Sequence, residues 1–528
     1  MSADTDIEHV TAAPAASRSW LAVLGGVAAG AVTIGVAEFL AGVTERFGWS
    51  GGTPSPVIAV GEAFIDRTPP WLKDFAVSNF GTNDKTVLLV GIAVVLLLLS
   101  CGIGYLLRRS PVGALVGFVV LIAIAMAAVL TRAGARPADL VPTVIGGLAG
   151  LFMLHRWRGL LDIDTGRHDI GVADRRQVLT WTALSVVGGA LALAAGRAIS
   201  GSARAVQAAR ATFVAPSVAK PVTVPAGASV GVPGVTPFIV PNDQFYRIDT
   251  ALQVPQVEAA SWKLKVTGMV DREIEIDWET LLSKPMQQAM VTLMCVSNEV
   301  GGSLNGNAIW TGWPIRELLK EAGVKPGADM VLSTSVDGFT AGSPIEALTD
   351  DRNALLVVAM NGKALPVEHG YPVRLVVPGL YGYVSATKWV SQLEVTTFAA
   401  SQGYWTPRGW SALGPVKTSS RIDVPVSGRS VSASNGKVAI AGVAWDQHTG
   451  IKAVQVRIDD GPWQAARLGT DATPDAWRQW VLAWEATKGR HTATVRAVNA
   501  EGKIQLAAEA QPAPNGSSGL HSVTFTVT

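Results

Sequence analysis

The sequence predicts a chain in three parts: an N-terminal α-helical membrane bundle, a central α+β domain and a C-terminal all-β sandwich. Three observations carry this. Long apolar segments are confined to the first ~200 residues. Short β-branched runs, broken by Gly, Pro, Asn and Asp turns and by two helical patches, fill the middle. Regular alternation with turns every ~10 residues fills the last hundred. At 528 residues the chain is too long for one domain. The expected boundaries are a tail (1–19), the bundle (20–200), a linker (201–237), the central domain (238–400), a crossing (401–421) and the sandwich (422–528). Net charge is +2 and no basic stripe exists, so no nucleic-acid partner is expected. Mean hydropathy is +0.31 and only 16% of residues are charged, because the first ~200 residues are membrane-like and the rest globular.

Five apolar segments make the bundle: about Trp20–Leu40, Thr86–Leu107, Val112–Leu130, Ala138–Leu154 and Val178–Ala195. Each is roughly long enough to span a ~30 Å hydrocarbon layer, the last two being short. Arg108 and Arg109 sit between the second and third. Arg156, Arg158, Arg167, Arg175 and Arg176 crowd the fourth connection. The positive-inside rule makes that face cytoplasmic. The N-terminus then starts inside, and the loop Val43–Lys85 and everything after segment five lie outside: a multi-pass protein in a lipid bilayer with its C-terminal half exterior. Asp174–Thr180, DRRQVLT, reads either as a twin-arginine export signal or as positive-inside flanking. Glu38 and His155 lie at segment ends, where side chains reach the interface. One histidine near a span cannot supply two haem ligands, and no CxxCH site exists. No haem or iron–sulfur cluster is expected.

Gly196–Pro237, rich in Ala, Ser, Pro, Gly and Val, reads as a tether. From Phe238 the strand candidates are WKLKVTGMV, AMVTLMC, MVLSTSVDG, ALLVVAMNG, PVRLVVPG and TKWVSQLEV. Trp278–Leu282 and Ile315–Ala322 read as helices, the second entered through Pro314. No GxGxxG fingerprint, P-loop or GxSxG elbow occurs.

The chemistry gathers around Met290–Gly302, MVTLMCVSNEVGG. A buried strand delivers Cys295 to a polar, glycine-bearing turn. A thiolate is a natural ligand for a soft or high-valent metal, and a buried structural thiol is the plainer alternative. Four polar motifs surround it: NDQFYR (Asn242–Arg247), SVDGF (Ser335–Phe339), MNGKALPVEHGYPVR (Met360–Arg374) and GLYGYVSATKW (Gly379–Trp389). Such residues collect on loops that bind. His369, Arg374, Ser385 and Lys388 could converge on an anion, with Gly382 and Ser385 as donors.

Residues ~235–400 resemble the molybdopterin-binding domain of the sulfite oxidase family. The resemblance rests on Cys295 with Asn298 three residues on, the MNGxxLPxxHGxPVRLVVPG run, and the Gly…Ser…Lys-Trp segment ending at Trp389. It implies a molybdenum–molybdopterin cofactor with Cys295 as metal ligand. It implies that Asn242, Phe245, Tyr246, Asn298, His369, Arg374, Ser385 and Lys388 hold the pterin and its phosphate, with Asp337 in the same set. Arg247 matches the family's F-x-R-N-H arginine and is the expected substrate contact, with Tyr381 and Tyr383 as pocket walls. The departures are Glu299 and Val300 where the family has a basic pair, Val358 where it has a tyrosine, and Ile248 and Asp249 for the Asn-His. Sulfite, held by fewer cations, and a neutral S-oxide therefore both stand as small-molecule substrates.

Tyr404–Lys417 crosses to the second domain. There VAIAGVAWD, IKAVQVRIDD, WRQWVLAWEA, HTATVRAVNA and HSVTFTVT alternate as in an immunoglobulin-like sandwich, with Asp459–Pro462 as a hairpin turn. The resemblance implies that this domain makes a homodimer contact. The expected function is an outward-facing, membrane-anchored molybdenum oxidoreductase exchanging electrons with a separate protein. Two rivals are a non-catalytic adhesion protein on a stalk and a transporter with an accessory ectodomain; the bundle lacks paired internal acids and broken helices, against the latter.

Overall fold

Residues 19–69, 72, 75, 79–80, 84–160, 172–199 and 202–528 are described in this computed structural model. They divide into two units between Ala203 and Arg204. Residues 1–18 of the expected tail, part of the expected exterior loop between 70 and 83, and the stretch 161–171 holding Arg167 lie outside the described residues.

The first unit contains α1 (Ser19–Arg46), α2 (Pro56–Arg67), α3 (Asp84–Arg109), α4 (Pro111–Leu130), α5 (Val141–Leu160) and α6 (Val172–Ile199). All but α2 are long and apolar enough to cross a membrane. Helix α1 packs on α3, α5 and α6 through small residues. A Cβ on Gly35 would lie 2.5 Å from the Gly189 Cα, and one on Gly26 would meet the Ser100 carbonyl. Such close backbone approach through small residues is the packing expected between helices in lipid. Val94 and Leu98 of α3, and Val116 and Val120 of α4, point outward, a surface suited to lipid. Helix α2 is not evident from hydropathy. Ser55 starts it, accepting from the Ile58 amide at 3.2 Å, with Pro56 in the first turn. Ser55 also donates to Glu38 at 2.7 Å. Glu38 is therefore buried and paired with Ser55 rather than reaching outward; His155 is exposed.

All but the first two residues of α7 (Ser202–Thr212) belong to the second unit; its Val206 is buried and its Arg210 donates to the Leu365 carbonyl at 2.8 Å. The chain beyond α7 is not a free tether. The Val222 amide donates to Gln288 at 3.0 Å, Val230 to Gln479 at 2.9 Å and Thr236 to Asp423 at 2.9 Å. With no strand of its own, the segment spends its backbone donors on side chains of the domains it crosses, and so becomes a strap.

The central domain has two sheets. One is ordered β2-β1-β10-β5-β6, from β1 (Lys263–Gly268), β2 (Ile274–Asp277), β5 (Met330–Ser335), β6 (Thr340–Pro344) and β10 (Val390–Thr396), with β1 and β10 parallel. The other is ordered β3-β4-β7-β8, from β3 (Gln287–Met294), β4 (Asn305–Pro314), β7 (Leu355–Met360) and β8 (Lys363–Ala364), with β9 (Arg374–Val376) on β7. Helices α8 (Trp278–Leu282) and α9 (Ile315–Ala322) fall where periodicity places them; the short α10 (Glu346–Thr349) does not announce itself. In α9, Ile315, Leu318, Leu319 and Ala322 form one buried stripe, and Gly323 ends it at φ 72°. Strand β4 is also hidden from periodicity. Its Gly306 and Gly312 are required by close approach: added Cβ atoms would meet the Phe245 ring at 2.6 Å and the Leu356 carbonyl.

The C-terminal domain pairs a four-stranded sheet, β11-β13-β17-β16, with a five-stranded sheet, β12-β19-β18-β14-β15. The strands are β11 (Ser419–Val424), β12 (Ser430–Val431), β13 (Lys437–Trp445), β14 (Ile451–Ile458), β15 (Gln464–Ala465), β16 (Arg467–Leu468), β17 (Arg478–Glu485), β18 (Gly489–Asn499) and β19 (Ser522–Val527). Ile440, Val454, Val456, Trp480, Val495 and Phe525 belong to one buried cluster. The β14–β15 hairpin turns at Asp459–Pro462, the expected place, with Asp459 at φ 51°. This domain also covers the outer edge of β3. The Thr292 amide donates to the Asp475 carbonyl at 3.0 Å, and Gln447 donates to the Thr292 carbonyl at 2.8 Å. Trp477, 1% exposed, fills the seam and donates to Phe238. An edge that would otherwise offer unpaired backbone is thereby closed.

Candidate active site

Strand β3 is buried from Ala289 onward and ends at Met294, so Cys295 is the first residue beyond it. The Cys295 amide donates to the Leu304 carbonyl at 2.9 Å, closing the turn 296–304. Asn298 braces the turn from within: its amide donates to the Cys295 carbonyl at 3.1 Å, and its Oδ1 accepts from the Leu304 amide at 2.8 Å. Asn298 therefore shapes the loop and does not line the cleft above it.

That cleft, about 900 Å³ including its open mouth, has Cys295 in its wall. Of the expected residues, Phe245, Tyr246, Asp337, Arg374, Tyr383 and Lys388 also line it. Phe245 meets Trp310 and His369 edge-on at 5.6 and 5.5 Å and stacks on Tyr246. Strand β9 starts at Arg374, whose guanidinium lies over the Trp310 ring at 5.2 Å. It donates to the carbonyls of Leu375, His369 and Ala386, and to no carboxylate among the described residues. Lys388 donates to Asp249 at 3.1 Å and to the Glu368 carbonyl at 2.9 Å.

Burial sets the electrostatics. It lowers Arg374 to about 10 and Lys388 to about 8. It raises the Cys295 thiol, against which a hydrogen bond with Ser297 and the charge of Lys388 work. Burial, with Lys388 and Arg374 beside it, takes His369 down to about 3, so the ring is neutral. Asp337 is raised, again by burial first. Two cations held out of water beside a thiol are costly unless an anion joins them.

Other expected residues stand elsewhere. Asn242 lies behind the lining, its Oδ1 accepting from Asn361 at 2.7 Å and its Nδ2 donating to the Met360 carbonyl. His369, 2% exposed, supports Phe245 from below. Ser385 is fully buried and donates to the Tyr381 carbonyl at 2.9 Å, so its hydroxyl is not offered to the cleft. Tyr381 is not in the lining: its hydroxyl end lies against Gly516 of the C-terminal domain. Tyr383 is a wall, but its hydroxyl donates to the Ser411 carbonyl at 2.7 Å. Arg247 donates to Asp249 at 2.8 Å, and Asp249 also takes Lys388. The expected anion contact is thus already compensated by a carboxylate.

The cleft also uses residues to which the sequence reading gives no site role: Asp249, Ser297, Phe339, Trp405 and Trp410. Trp405 and Trp410 meet edge-on at 6.3 Å, and Trp410 lies 5.9 Å from the Tyr383 ring. The signal is present in the chain: three aromatic residues fall within Tyr404–Trp410, a stretch that otherwise reads only as a crossing.

The donor set suits a molybdopterin cofactor: a thiol for the metal, aromatic walls, and two buried cations, of which Lys388 shares Asp249 with Arg247 and Arg374 meets no carboxylate among the described residues. Residues 251–405 match the family described as oxidoreductase molybdopterin binding domain. Sulfite oxidase of Gallus gallus is 28% identical over 296 residues, covering 47% of this chain and 63% of that protein. Sulfite oxidase of Arabidopsis thaliana is 27% identical over 310 residues, 48% of this chain and 78% of that one. Among solved structures, the sulfane dehydrogenase SoxCD from Paracoccus pantotrophus aligns at 24% identity with a TM-score of 0.48, covering 59% of this chain and 88% of that one. The chain spans less than two thirds of the Gallus gallus protein it matches.

Proposed function

We propose, from the premise that this chain belongs to the sulfite oxidase family of molybdopterin-dependent oxidoreductases, that it transfers an oxygen atom to or from a small sulfur compound at an outward-facing, membrane-anchored site. One observation carries the proposal: Cys295 and the buried cations Arg374 and Lys388 share one cleft. The bound cofactor would supply a two-electron centre for oxygen-atom exchange with water. Cys295 would ligate the metal, and Arg374 and Lys388 would hold the pterin phosphate by charge-assisted hydrogen bonds. Phe245 and Tyr246 would pack the pterin, and the closed β3 edge and buried turn would keep the thiol from competing partners.

Two substrate classes remain, and Asp249 separates them. It neutralises Arg247 and Lys388 at 2.8 and 3.1 Å. A doubly charged sulfite would have to displace it, whereas a neutral S-oxide would not; Trp405, Trp410 and Phe339 offer an apolar wall. The geometry therefore favours reduction of an S-oxide to the sulfide and water, taking two protons and two electrons. A separate protein would deliver the electrons. The C-terminal domain would be an immunoglobulin-like sandwich making a homodimer contact. The test is turnover of purified, molybdenum-loaded protein with sulfite plus an acceptor, and with dimethyl sulfoxide or methionine sulfoxide plus a reductant. Sulfoxide turnover lost on Cys295→Ser supports the reading. Sulfite turnover alone would reverse the preference, and neither, in loaded protein, would overturn the function.

A further inference from the structure

Asn298 braces the turn 296–304 from within, and the C-terminal domain grips the same turn from its outer face. Arg421, on β11, donates from one nitrogen to the Gly302 carbonyl at 2.7 Å and to Asn305 Oδ1 at 2.8 Å. Ser517, on the segment before β19, donates to the Asn298 carbonyl at 2.7 Å. These bonds hold the turn at two places: its Asn298 brace and the glycine before its close.

Arg421 is itself fixed. It is 6% exposed, donates to Asp423 at 2.6 Å and to Thr236 at 2.8 Å, and Asp423 in turn accepts from the Thr236 amide. One guanidinium thus ties together the Cys295 turn, the start of β4, the strap and the C-terminal sheet. His521 completes the grip. Its ring lies where a Cβ on Gly301 would be, 2.3 Å away, and Gly301 holds φ 80°. A planar fork with several simultaneous acceptors fixes geometry as no single hydrogen bond can.

We propose that Arg421 and Ser517 are positioning residues for Cys295: the C-terminal domain sets where the thiol stands without touching it. A metal ligand must be held within about half an ångström, and residues behind the ligand set that tolerance. The role given to Cys295 rests on the proposed function; the grip on its turn does not.

The experiment uses the full chain in detergent, made without molybdopterin, in a Cys101→Ser background. The rate of iodoacetamide alkylation of Cys295 is followed by mass spectrometry. Ser517→Ala and Arg421→Lys are each expected to raise that rate about tenfold or more, tenfold being the worth of one net hydrogen bond in a local opening, with the melting temperature little changed in Ser517→Ala. Ser432→Ala, remote on the same domain and bonded only to Thr528 at 3.3 Å among the described residues, is expected to leave it unchanged. In protein made with molybdopterin, the same two variants are expected to broaden the molybdenum EPR signal while retaining the metal. Alkylation rates equal to the parent, or raised equally by Ser432→Ala, would overturn the proposal. A parent protein that takes no molybdenum, with alkylation still raised, would instead sink the proposed function and leave the grip standing.

Discussion

Replacing Lys388 by methionine should have opposite effects on the cofactor-free and cofactor-loaded protein. In the free protein Lys388 is 9% exposed and burial lowers it from 10.5 to about 8. A depression of that size corresponds to roughly 3 kcal/mol against the charged form. At pH 7 the charge is retained at that cost, so its removal returns part of it. The loss of Lys388 leaves Asp249 still paired with Arg247, which limits the penalty on the other side. A net gain of about 1–2 kcal/mol would raise the melting temperature of the cofactor-free protein by about 2–4 °C. In the loaded protein the same change removes a charge-assisted bond to an anion, worth about 1.5–3 kcal/mol. Pterin retention should then fall by roughly ten- to a hundredfold after dilution. The assay pairs tryptophan-fluorescence melting with pterin and molybdenum content, for both forms at pH 7. Equal destabilisation of both forms, with pterin content unchanged, would show that Lys388 is an ordinary structural ion pair and refute the reasoning.

Three further outcomes rest on the same geometry. Asp249→Asn should remove the carboxylate that pairs with Arg247 and lower the KM for sulfite by about tenfold, measured in steady state; an unchanged KM would remove Asp249 from the specificity argument. His369 is lowered from 6.5 to about 3, so between those values the unfolded chain binds more protons. Cofactor-free protein should therefore lose up to roughly 4–5 kcal/mol as pH falls through that window, and His369→Gln should flatten the dependence in pH-series melting. Gly301→Ala places a Cβ against His521 at a left-handed backbone position and should cost about 2–4 kcal/mol of stability by chemical denaturation.

Much of this is legible in the chain itself. The five long apolar helices follow from hydropathy, since runs of that length and composition are what a lipid bilayer would demand. Strands β1, β3, β5, β7 and β10 follow from β-branched runs, and α9 from its Ile315–Ala322 stripe. Strand β4 does not, because Gly306, Gly312 and Pro314 read as turn residues until Phe245 and Leu356 are seen to need the space. The strap does not, because its hydrogen bonds run to Gln288, Gln479 and Asp423, far away in sequence. At the site, the motifs point to the cations and the thiol but not to their partners. Ser385 and Tyr383 spend their hydroxyls on backbone carbonyls, Tyr381 turns toward Gly516, and Asp249 occupies the arginine expected to meet substrate. A motif names residue types; which direction each side chain faces is decided by packing.

The most direct test is X-ray absorption at the molybdenum edge on the native holoprotein, with metal content measured alongside. The account predicts stoichiometric molybdenum with a third sulfur neighbour beyond the two of the dithiolene, lost in Cys295→Ser. A full complement of metal with the same sulfur count in that variant would contradict it.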